Sequence, residues 1–142
     1  MTDLSSQVKE KAGLAASQFQ SRAGGALDYS EKSLDVIEEM LEEASKFAEQ
    51  MSPKDSQSLI ELMGSYVLEV AHRVHGGSFH WNEQRRQPVL VIGEPVYQVA
   101  IMTFDKVRGR LSGDKADNIP FFYGGFSARV RSAGPGTKVL YV

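Results

Sequence analysis

The chain has 142 residues, no cysteine, 24% charged residues and a formal net charge of −2. That length accommodates one domain with a real hydrophobic core, and the missing cysteines exclude disulfide staples, thiolate zinc sites and thiol nucleophiles. Apolar runs such as Val89-Leu90-Val91-Ile92 fall far short of the ~18 residues of a membrane-spanning helix, which leaves no reason to expect a membrane partner.

The opening residues, MTDLSSQVKE, lack the apolar segment of a secretory signal, so a cytoplasmic protein is expected. Residues 1–27 are small and polar, with Leu4, Val8, Ala15 and Phe19 marking one face. They read as a flexible or weakly helical arm ahead of a single globular domain over 28–131.

The first strong helical pattern is Leu34, Ile37, Leu41, Ala44, Ala48 and Met51, a continuous apolar stripe. Two start signals compete: an Asp28–Glu31 capping box, or Ser30 as N-cap with Tyr29 stapled onto Leu34. Ser52-Pro53-Lys54-Asp55 is a second start signal, with a capping serine and proline at the first helical position. The helix it opens should run from Pro53 to about His75, with Leu59, Met63, Val67, Val70 and Val74 inward. So short a joint predicts that these two helices pack as an antiparallel pair.

Beyond Gly77 the period changes. Ser78–Trp81 and Pro88–Ile92 read as two strands joined by a polar loop, and Val96–Val99 as a short third strand. Ile101, Phe104, Val107 and Leu111 return to helical spacing, ended by Gly113. Asn118 can cap a last helix, although Gly124 and Gly125 inside it each cost about 1 kcal/mol relative to alanine. Residues 132–142 read as a tail or an edge strand. The fold class is therefore α+β: an N-terminal antiparallel helical hairpin on a small antiparallel sheet, with one or two C-terminal helices.

Chemistry concentrates in residues 64–81, GSYVLEVAHRVHGGSFHW, which hold all three histidines and the one tryptophan. Glu69, His72, His75 and His80 make a candidate cation site, since neighbours three apart on a helix can touch. The spacing is not that of two histidines at i, i+4 around a glutamate. Capping and packing account for the same residues: Glu69 precedes Arg73 by four, His72 and His75 suit the carbonyl end of the helix, and Gly76 suits its C-cap. No phosphate loop, dinucleotide fingerprint or nucleophile elbow is present, and no cofactor is called for.

Charge is unevenly spread. Residues 28–50 carry eight acids against two lysines, a net of −6, while residues 82–142 have a net of +4. Glu38, Glu39, Glu42 and Glu43 form two i, i+4 carboxylate pairs, either a solvated helix face or a surface that steers a basic partner. Phe121, Phe122 and Tyr123 beside Arg129 and Arg131 have the ingredients of a single-strand platform, but helical spacing places most of them in the core and the acidic total argues against nucleic acid.

The run Gly64-Ser-Tyr66-Val-Leu-Glu69-Val70, followed by Gly76-Gly77 and Trp81, resembles a G-x-Y-x-x-E-V … G-G-x-x-W pattern of small bacterial cytosolic proteins of unassigned function. Phe104-Asp-Lys-Val107-x-x-Arg110-Leu111 and Phe122-Tyr123 are similar to its second half. This chain departs from it at Leu68, where the pattern has a small residue. The resemblance implies a shared fold and a shared surface around Tyr66, Glu69 and Trp81, and it brings no reaction. The expected function is a non-enzymatic module that binds a protein through the acidic helix face or the cleft where the second helix meets the sheet, of the immunity or inhibitor kind. A small metal-dependent enzyme using Glu69, His72, His75 and His80 is the alternative, and self-association through the Leu34–Met51 stripe or the N-terminal segment a third reading.

Overall fold

The computed structural model describes residues 3–142, of residues 22 and 23 the backbone only; residues 1 and 2 of the expected arm lie outside the described residues. Its class is α+β. Among the described residues, α1 (Leu4–Ala23), α2 (Leu34–Ser45), α3 (Pro53–His75), α4 (Phe104–Leu111) and α5 (Ile119–Ser132) accompany β1 (Ser78–Asn82), β2 (Gln87–Ile92), β3 (Gln98–Ile101) and β4 (Lys138–Tyr141).

The strand order is β1-β2-β3-β4. The first two pairings are antiparallel, while β4 returns after α4 and α5 to lie parallel to β3. The closing segment is thus an edge strand. Strand alternation decides the faces: Leu90, Ile92, Val99 and Ile101 are buried in the core, whereas Val89, Val91 and Ala100 on the other face are half-buried. The third strand begins two residues later than the pattern predicts. Val96 and Tyr97 both donate their N–H groups to the carbonyl of Gly93, so the turn continues to Tyr97 and Ile101 joins the strand.

α3 begins and ends where its local signals place it. Ser52 Oγ accepts from the Asp55 N–H at 3.0 Å, and Gly76 stops the helix at φ 77°. Gly64 sits where a Cβ would stand 2.5 Å from the Phe104 ring, so α3 and α4 meet there on bare backbone. Thr103 Oγ1 donates to the Gly64 carbonyl at 2.7 Å and ties the same crossing.

The helix pairing differs from the expectation. α1 is a full 20-residue helix capped by Asp3, whose carboxylate accepts from the Ser6 N–H at 2.7 Å. Val8, Ala12 and Ala15 are buried, and Ala16 and Phe19 pack on the core. The segment read as an arm is therefore part of the core. α1 is the chief helical partner of α3, whereas α2 packs mainly on α4 and α5. The expected long stripe also breaks at Ser45. Lys46 and Phe47 bond to the carbonyls three residues back, a tighter turn that leaves Phe47 exposed before a last turn at Ala48–Gln50.

Candidate functional site

The acidic helix has two sides with different chemistry. Ile37 and Leu41 are fully buried, and Glu38 lies on the same side. One Glu38 oxygen meets Arg110 Nε at 2.5 Å and the other accepts the Ile119 N–H at 2.9 Å. Arg110 is 3% exposed and Glu38 13%. Glu38 is therefore removed from the proposed docking face: it clamps α2 to α4 and to the start of α5. The sequence showed an acid at i, i+4 to another acid but not the arginine 72 residues away that it faces. Glu39, Glu42 and Glu43 are exposed with Asp35, Glu42 reaching Arg110 only at 3.8 Å. Beside them, at the start of the helix, a cavity of about 220 Å³ is lined by Ala26, Asp28, Ser30, Lys32, Ser33, Asp35 and Val36.

The 64–81 stretch is mostly interior. Tyr66 is fully buried, and its hydroxyl accepts from the Tyr29 N–H at 3.0 Å and lies 2.7 Å from Ser33 Oγ. Burial raises its phenol above the ordinary value. The Tyr29 ring stacks on Tyr66, centroids 5.1 Å apart, and the Arg73 guanidinium lies 3.7 Å above Tyr29. Tyr29, at φ 66°, thus turns onto Tyr66. Glu69 is also buried, bonded to Arg73 Nε at 2.9 Å with His72 Nδ1 at 3.6 Å. Neither Tyr66 nor Glu69 is part of an open surface. Trp81, 48% exposed, is.

The three histidines diverge. His72 packs on Phe79, His80 stands 3.7 Å from Glu94, and His75 turns toward α5. No group of three His, Asp or Glu among the described residues is arranged to hold a metal ion. The candidate cation cluster is not assembled, because one helix turn and a reversed strand point its members at different neighbours.

The structure does assemble a polar cluster that the sequence concealed, built around Glu31. Tyr123 Oη and Ser127 Oγ donate to one carboxylate oxygen at 2.7 and 2.9 Å, and Arg131 Nη2 reaches the other at 3.1 Å. His75 Nε2 lies 2.9 Å from Ser127 Oγ and 3.9 Å from Glu31. Burial alone would raise the Glu31 carboxyl, but the bonds from Tyr123, Ser127 and Arg131 outweigh it and leave the group below its ordinary value. Burial lowers His75 and, with the Glu31 contact, pushes the Tyr123 phenol far up. A serine next to a histidine and a carboxylate invites a nucleophile reading, and proton placement argues against it. An ionised Glu31 requires Ser127 to donate to it, so Ser127 can only accept from the Nε2–H of His75. In that tautomer His75 is a donor to the serine and not its base. Nothing local signalled this cluster, because Glu31 lies 92 to 100 residues from the three α5 side chains that bind it and His75 lies 52 from Ser127.

Comparison with protein-family models, with curated proteins and with solved structures gave no match.

Proposed function

We propose that this protein is a binding module without enzymatic activity, of the immunity or inhibitor kind, docking a basic protein on the outward side of α2. The observation that supports this reading is the division of α2 by Arg110. One carboxylate, Glu38, is spent on holding the helix to the core, while Asp35, Glu39, Glu42 and Glu43 stand outward on a helix that contains no lysine or arginine. A helix clamped in this way presents its charges in a fixed array, which favours steering and register over raw affinity. The neighbouring cavity, whose lining carries Asp28 and Asp35 against Lys32, suits an inserted lysine or arginine of the partner. Likeness to the small bacterial proteins with the G-x-Y-x-x-E-V pattern belongs to this proposal; Gly64, Tyr66 and Glu69 are buried here, so the pattern speaks to fold and not to a docking surface.

The test is native capture from source-cell lysate at low and moderate salt, with wild type beside a Glu39→Lys, Glu42→Lys, Glu43→Lys variant. A protein retained by wild type at low salt, released at moderate salt and missed by the variant is expected, because exposed charge contacts are screened over ~8–10 Å at physiological ionic strength. Equal capture by the variant would remove the acidic face from the account.

A further inference from the structure

Among the described residues β1 ends the sheet, with β2 on one side only. Edge strands are usually protected by lysine, proline, a bulge or a cover. The other edge, β4, opens with Lys138 just after Pro135 and Gly136. β1 reads Ser78-Phe79-His80-Trp81-Asn82, without lysine, proline or a formal charge, and Ser78, His80 and Trp81 are exposed. Phe79 and Trp81 lie on the core-side face, opposite Leu90 and Pro88. Trp81 is thus a large half-exposed aromatic beside backbone groups that no described strand pairs.

The strand is also nearly palindromic in chemistry: small polar, aromatic, histidine, aromatic, small polar. We infer that two copies of this chain pair edge to edge through β1, antiparallel and centred on His80. A two-fold axis requires a surface to complement itself, and this register does so at every position. Ser78 meets Asn82 of the second copy, and Phe79 meets Trp81 on both sides of the axis, the aromatic cross-strand pair that stabilises sheets. The core-side row Ile101–Leu90–Phe79 continues into the second copy through its Trp81. At the axis two imidazoles face each other, each with a Glu94 oxygen 3.7 Å away. The result is one eight-stranded sheet in which Trp81 is covered. The acidic side of α2 takes no part, so this dimer and the docking reading stand or fall separately.

The decisive experiment combines sedimentation with cross-linking. Wild type is expected to show a concentration-dependent monomer–dimer equilibrium. His80→Lys, an exposed substitution that sets like charges directly opposite, is expected to be monomeric with an unchanged circular dichroism spectrum. His80→Cys, in a chain with no other cysteine, should give a disulfide-linked dimer under mild oxidation; Val96→Cys, equally exposed but outside β1, should not. A wild type that stays monomeric at the highest concentration reached overturns the proposal. So does a dimer that persists undiminished in His80→Lys, or a His80→Cys variant that cross-links no better than Val96→Cys. Should His80→Lys lose its fold, the cross-linking comparison alone decides.

Discussion

Replacing Glu38 by alanine removes the partner of a guanidinium that is 3% exposed and at the same time takes the acceptor from the Ile119 N–H. Breaking one side of a buried ion pair typically costs about 3–5 kcal/mol, because the remaining charge stays desolvated and unpaired. The orphaned amide adds part of a further ~1–3 kcal/mol, and the two losses share a site and do not simply sum. Glu42 is near enough to recover some of the loss, at 3.8 Å from Arg110 Nη2, so a value near the lower end, about 3 kcal/mol, is expected. Against a typical total of about 5–15 kcal/mol, that is a large fraction. Glu42→Ala, at a carboxylate that is 50% exposed, should cost no more than about 1 kcal/mol. The assay is urea unfolding of wild type, Glu38→Ala, Glu38→Gln and Glu42→Ala, compared at constant slope. Glu38→Gln keeps an oxygen for Ile119 and should fall between the two alanine variants. A Glu38→Ala cost below about 1 kcal/mol, or one equal to that of Glu42→Ala, would refute the two-sided reading of α2 on which the docking proposal rests.

Three further outcomes follow from other contacts. Gly64→Ala places a Cβ 2.5 Å from the Phe104 ring, and the displacement of α4 should lower stability by about 1–3 kcal/mol; a thermal midpoint within error of wild type would contradict the close crossing. Tyr66→Phe takes the acceptor from the Tyr29 N–H, while Ser33 Oγ keeps its bond to the Ser30 carbonyl, and is expected to cost about 1–3 kcal/mol in urea; a neutral effect would mean that water replaces the hydroxyl. Stability should also fall on acidification in two stages. His75 and Glu31 both have folded values below their ordinary 6.5 and 4.5, so each contributes stability present above that value and lost as pH falls through the lower, folded one. Urea midpoints at successive pH values should therefore decline first below pH 6.5, in a step that His75→Gln removes, and again below pH 4.5. An unchanged first step in His75→Gln would assign it to another group.

What the sequence determined by itself were the features set by neighbours in the chain. α3 starts at a capping serine and proline and stops at a glycine with φ 77°, because a cap involves residues within one turn. The β1–β2 hairpin and the α+β class follow from a change of period, which any window of the chain displays. The 3.6-residue stripe found Ile37 and Leu41, but it could not tell that α1 and not α2 would lie against α3, since apolar stripes carry no address. Nor could it separate Glu38 from Glu39: both are acids in one run, and only the fold brings Arg110 to one of them. The Glu31 cluster, the parallel return of β4 and the divergence of the three histidines were likewise settled by the tertiary structure. Each depends on groups that are distant in the chain and meet only when the core closes, and a buried charge keeps its place only where such a partner meets it.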